Sequence, residues 1–181
     1  MIRNIQNANG DIIVDSDIIR VKQNVKNRLW KDPDIIEILN NPKLIPDEDG
    51  TCSDALETNI FDYIRIPGTQ DEVRNFICFE AEDDRESYTN NVTKIMSLQF
   101  FCISHEDDIK TKYGIPREDV IDYIVTDLVG WSDFLGNGTR WKKYYDKTDI
   151  IDVKWHARII KFKTETPNNL KQSGWGNKLD K

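Results

Sequence analysis

Asp152-Val153-Lys154 comes nearest, by residue type and spacing, to a catalytic motif. Asp-x-Lys on a strand is the second half of a restriction-type nuclease signature, in which a carboxylate holds a divalent metal and a lysine polarises the attacking water. Its partner would be Pro46-Asp47, but three expected strands and a helix separate the two, and Asp62 or Asp149 would have to stand in. Alternation along a strand yields Asp-x-Lys without any metal, so a metal-dependent nuclease using Asp152 and Lys154 is the alternative reading of the chain and not the leading one. Glu80, Glu82, Asp83, Asp84 and Glu86 offer the clustered oxygens that hard cations take. They lack the Asp-x-Asp-x-Asp-Gly spacing and distal Glu of a calcium loop, and a solvated turn explains them. The stretch His105-Glu106-Asp107-Asp108 meets the same objection. Cys102 and His105 form a Cys-x-x-His, with no second pair at zinc-ligand spacing and with Cys102 on the apolar face of its strand. The histidines number 2, His105 and His156, and neither a Gly-x-Ser-x-Gly elbow nor a Gly-rich phosphate loop accompanies them. The expectation is therefore a protein without enzymatic activity, cofactor or metal.

The elements that would hold these residues in place must come from one ordinary domain, since 181 residues suffice for a single core. A hydrophobic fraction of 38% and a charged fraction of 31% are those of a water-soluble globular chain. Apolar runs fall far short of the ~20 residues of a membrane span, and residues 1–17 lack the apolar segment of a signal peptide, so a cytoplasmic protein is expected. Lys and Arg total 25 against 32 Asp and Glu, and the net charge of −7 repels phosphate backbones. The basic residues concentrate in 140–147 and 154–163, where they read as the solvated face of strands more than as a grip on DNA. Cys52, Cys78 and Cys102 are odd in number and widely spaced, which argues against a disulfide framework and fits a reducing compartment.

Along the chain, residues 1–14 read as an arm or a short strand. Asp15 or Ser16 then caps a helix with Ile18, Val21, Val25 and Leu29 on one side. Asp32 caps a second, Pro33 starts it, Ile35, Ile36 and Leu39 face inward, and Asn40-Asn41-Pro42 stops it. Residues 43–54 are turn formers and read as a surface loop. The period then falls to two. Residues 59–66 place Ile60, Asp62, Ile64 and Ile66 on one side and Phe61, Tyr63 and Arg65 on the other. Strands over 73–82 and 92–104 follow, the latter with Met96, Leu98, Phe100 and Cys102 on one face. Pro116 begins a helix with Glu118 and Asp119 in its first turn, which suits the dipole. Val120, Ile124 and Leu128 form one apolar row and Ile121, Val125 and Val129 the row beside it, with Arg117, Asp122, Thr126 and Asp127 looking outward. Residues 141–146 and 150–165 supply one or two closing strands. The expected fold is α+β, an antiparallel sheet of four to five strands packed against amphipathic helices. Residues 1–165 form a single domain and residues 166–181 a flexible C-terminal tail.

With Tyr113-Gly114, Arg117 and Asp119 leading into those apolar rows, residues 15–165 resemble the tail terminator and tail-completion proteins of long-tailed bacteriophages. The resemblance lies in the element order of helix, sheet and helix after a Tyr-Gly-x-x-Arg-x-Asp type approach; the 42–58 loop, the 131–149 segment and the tail are extras. It implies a homo-oligomeric ring, commonly a hexamer, at the head-proximal end of the tail. Such a ring ends polymerisation of the tail tube protein and meets the head–tail connector or stopper protein. DNA passes through it without specific binding, no membrane is involved, and the protein is assembled in the host cytoplasm into the virion. Trp131, Phe134 and Trp141, aromatic in a Gly-rich and otherwise polar stretch, are the candidate assembly interface, with capping of the monomer core as the alternative.

Overall fold

A computed structural model describes residues 17–65, 75–84, 93–130 and 140–167. Asp15, Ser16, Ile66, Glu86, Trp131, Phe134, Gly136–Gly138 and residues 168–181 lie outside them, with the expectations attached to each.

Helix α1 spans Asp17–Leu29 and α2 spans Pro33–Leu39. The expected apolar row on α1 is the buried one, Val21, Val25 and Leu29 being at most 2% exposed. Asp32 caps α2, its carboxylate accepting from the Ile35 N–H at 3.0 Å, and Pro33 sits in the first turn where its missing N–H costs nothing. Asn40 ends the helix in the left-handed region (φ 48°). The following loop folds back on α2, and Gly50 (φ +80°) is required there, because a Cβ would stand 3.0 Å from Pro33 Cβ.

Five strands make the sheet: β1 Ile60–Phe61, β2 Asn75–Asp84, β3 Thr93–His105, β4 Lys142–Asp152 and β5 Trp155–Pro167. Helix α3, Arg117–Gly130, lies between β3 and β4 in sequence. The sheet order is β1-β2-β3-β5-β4. The α+β class is as expected, but the sheet is mixed, because β1 pairs with β2 in parallel while the other neighbours are antiparallel. The first strand is also shorter than its alternation predicts: pairing stops at Phe61, and Ile64 is 46% exposed. At the other end β5 reaches Pro167 with Thr166 buried, so residues 166 and 167 belong to the sheet and not to a tail.

Alternation sends Ile77, Phe79, Met96, Leu98, Phe100, Cys102, Ile160 and Phe162 to the face under the helices, all fully buried. Ile121, Val125 and Val129 complete this core, and the row of Val120, Ile124 and Leu128 packs at its margin. Among the described residues, the opposite face carries a smaller cluster of Phe61, Phe76, Cys78, Ile103, Trp155 and Ala157 at one end. Arg65 closes it from outside, its guanidinium 4.8 Å from the centroid of the Phe61 ring and 5.4 Å from that of Phe76. Among the described residues no helix is long and apolar enough to cross a membrane.

Arg117 and Asp122 correct the outward reading of α3: they are 7% and 6% exposed. Burial of a charge requires a partner, and each has several. Arg117 donates to Asp108 Oδ1 (2.9 Å), to the Asp108 carbonyl (2.8 Å) and to the Ile38 carbonyl (2.8 Å). Asn75 donates to the Leu39 carbonyl at 2.9 Å and to Asp108 Oδ2 at 2.6 Å. Two carbonyls at the end of α2, left without helical partners, are thus satisfied from β2 and α3, and this fixes both helices to one end of the sheet.

Candidate assembly surface

Strands β4 and β5 form a long hairpin at the edge of the sheet, and a charged cluster anchors its base. Asp122 of α3 is the centre: Lys143 Nζ lies 2.7 Å from Oδ1 and Arg158 Nε 2.9 Å from Oδ2. Asp146 bridges the same two cations at 2.6 and 2.8 Å, and Arg158 reaches Asp119 at 2.7 Å. Burial works against the charges of Arg158 and Lys143, but the carboxylates bonded to them override it and raise both above their ordinary values. Burial likewise works against Asp146, and its bonds from Lys143 and Arg158 override it to hold the carboxyl below its usual range. Helix α3 and the hairpin are thereby clamped through five side chains from three elements.

Beyond this clamp the hairpin is open. Every residue of β4 except the half-buried Lys143 is exposed. The strand ends the sheet, so its outer N–H and C=O groups face no strand among the described residues. Tyr144 and Tyr145 are 50% and 37% exposed, and they lie along Lys163 and Lys161 of β5 at 4.6 and 5.3 Å from ring centroid to Nζ. Ile150 (64%) and Val153 (85%) stand free near the tip. Exposed aromatic and β-branched side chains along an unpaired edge are what an added strand would cover.

The residues singled out from sequence fall elsewhere. Trp141 is 2% exposed and part of the main core, so in this chain its indole is committed to the monomer, which is the alternative reading held for it. Trp131 and Phe134 lie outside the described residues. Asp152 ends β4, and Val153 and Lys154 form the turn to β5, so Asp-x-Lys occupies an exposed hairpin tip and not the strand interior expected for it. Asp152 Oδ1 accepts from the Val153 N–H at 2.6 Å, and Asp149 Oδ1 accepts from the Ile150 N–H at 2.8 Å. Asp47 belongs to the 47–51 turn, where it accepts from the Thr51 hydroxyl at 3.4 Å, and Asp62 pairs with Lys26 of α1 at 3.0 Å. Among the described residues no three His, Cys, Asp or Glu side chains gather as a metal site.

Cys102 and His105 project from opposite faces of β3, as residues three apart on a strand must. His105 Nδ1 accepts from the Asp107 N–H at 3.1 Å, and its ring meets Trp155 edge-on at 4.8 Å. All three cysteines are unpaired and buried, and burial pushes the Cys78 and Cys102 thiols up, away from reactivity. Strand β2 runs two residues past the expected end at Glu82, so that Asp83, expected in a turn, lies on it; Glu82 and Asp83 bond Ser97 (3.1 Å) and Lys94 (3.2 Å) of β3. Of the approach to α3, Tyr113 is 63% exposed, Gly114 takes φ +74°, Arg117 holds Asp108 and the end of α2, and Asp119 belongs to the clamp through Arg158.

Sequence reasoning missed Asp122, Lys143, Asp146 and Arg158 as a unit. Its only trace in the linear order is an aspartate beside the two apolar rows of α3; the cations that justify it stand 21 and 36 residues away.

A family model described as YomW matches residues 32–164, from the cap of α2 to near the end of β5 and well over half of the chain. No curated protein matches it.

Proposed function

The chain belongs to the YomW family, whose phage-derived, SPbeta-type gene name marks a phage protein, and from that premise we propose that it is a structural protein of the virion. In this reading it forms a homo-oligomeric ring, commonly a hexamer, at the head-proximal end of the tail. The ring ends polymerisation of the tail tube protein and meets the head–tail connector or stopper, with assembly in the host cytoplasm.

The observation that carries the proposal is the β4–β5 hairpin, held rigidly at its base and exposed along its edge and tip. A cyclic ring is built from head-to-tail contacts between two different patches of each subunit. An open strand edge is one such patch, because strand addition satisfies its backbone groups while flanking side chains select the partner. The net charge of −7 suits a ring through which DNA passes without adhering. Contact of this kind asks for a shaped surface and for no reacting group.

The experiment is to delete the gene in the phage and examine particles by electron microscopy, with mass spectrometry of purified virions. The expected result is filled heads beside unjoined tails of irregular length in the deletion, and the protein present at a few copies per particle in the parent. Normal virions without the gene, or its absence from parental particles, overturn the reading. Magnesium-dependent DNA cleavage that disappears in Asp152→Ala would replace it with the nuclease alternative.

A further inference from the structure

The β4 edge is exposed along its length apart from Lys143, and its sequence is self-complementary when read against itself. The ladder with β5 is regular from Tyr145 to Ile150 and irregular on both sides of that stretch. When two copies of a strand pair antiparallel about a two-fold axis perpendicular to the sheet, one residue falls on the axis and meets its own copy. On Asp146, Lys147 or Asp149 this would set two like charges face to face, which destabilises a cross-strand pair. Thr148 is the neutral residue among these four positions. With Thr148 on the axis, Lys147 stands opposite Asp149 of the second copy, and Asp149 opposite its Lys147. Tyr145 then stands opposite Ile151, which lies in the irregular stretch and is 36% exposed. The pattern Lys-Thr-Asp is thus matched to itself in charge at one register.

We infer that in the free protein the β4 edge is covered by the β4 edge of a second copy of this chain, antiparallel and centred on Thr148. Two five-stranded sheets become one sheet of ten, and an edge open to aggregation is closed. An isologous contact uses the same patch on both partners and therefore stops at two. The pairing does not depend on the ring reading. If that reading holds, pairing keeps the edge out of use until a tail end is met.

The test is the mass of the purified full-length chain by sedimentation equilibrium over a wide concentration range. The expected species is a dimer of twice 21.2 kDa. Lys147→Asp alone and Asp149→Lys alone each turn two attractive pairs into two repulsive ones and should weaken the dimer about tenfold. The double variant K147D/D149K exchanges the charges and should restore it. Both positions are exposed and neither side chain is one of the clamp's five, and unchanged thermal melting confirms that the variants fold. A monomer at every concentration, an assembly larger than two, a dimer indifferent to the single changes, or a double variant as weak as the singles would each overturn the inference. The ring reading is tested separately, on virions, so the two can fail independently.

Discussion

The two edges of the sheet are built in opposite ways. Strand β1 has two residues, both buried (Ile60 0%, Phe61 1%), and α1 is fastened over it: Lys22 Nζ donates to the Asp62 carbonyl at 2.7 Å and Lys26 pairs with Asp62 at 3.0 Å. Strand β4 has eleven residues, nearly all exposed, and among the described residues its side chains are anchored at the base. Proteins commonly blunt sheet edges by shortening or covering them. This one does both at β1 and, at β4, carries lysines and two breaks in the ladder register. The first edge is closed by its own chain and the second is exposed, so on the proposed reading substitutions at the two should divide cleanly between stability and association.

The largest effect is expected at the closed edge. Phe61→Ala removes a buried ring that packs on Phe76 at 6.1 Å and under Arg65, and should cost about 3–5 kcal/mol in urea denaturation. Tyr145→Ala on the open edge should stay within about 0.5 kcal/mol of the parent in the same assay while weakening association. Equal losses at the two positions would erase the contrast.

Next comes the clamp that makes β4 a rigid edge. Asp122 has a side chain 8% exposed, and its replacement by Ala leaves Lys143 and Arg158 facing each other without it. A loss of about 3 kcal/mol is expected, read as a lower midpoint of thermal unfolding.

A smaller effect is expected from pH. The folded-state value of Asp146 lies below its ordinary 3.8, so its contribution is present above that pH and is lost as pH falls through the folded value. Lys143 has the opposite sign: its folded value lies above 10.5, so its contribution is present below that pH and is lost as pH rises through the folded value. Unfolding free energy measured against pH should decline at both ends, and Asp146→Asn should flatten the acid limb.

The smallest effect is local. Backbone amides on the outer edge of β4 should exchange with solvent faster than those of β3, which is paired on both sides. Protection of β4 that appears only at high protein concentration would sharpen the comparison by pointing to a second copy on that edge.

How much was legible varies by element. The α1 row, the Asp32 cap and the double apolar row of α3 could be read directly, because a helix repeats every 3.6 residues and the chain shows that repeat. The even-numbered face of β3 was legible for the same reason at a period of two. Arg117 and Asp122 were misread because period reports polarity, and a polar residue looks outward until a distant partner pays for its burial; Arg117 finds the Ile38 carbonyl 79 residues away. The parallel pairing of β1 was invisible, since alternation is the same whichever way a strand runs. Asp152 and Lys154 looked like a strand motif because nothing local marks Val153-Lys154 as the tip of a hairpin.

By itself, then, the sequence determined the class of fold, the faces of its helices and central strands, and the charge pattern of β4. These follow from local repeats and residue type. The order of the strands, the burial of Arg117 and Asp122, the commitment of Trp141 to the core and the openness of β4 were decided only by tertiary structure. Each depends on groups far apart in the chain meeting, or failing to meet, across the sheet, and no local pattern encodes that distance.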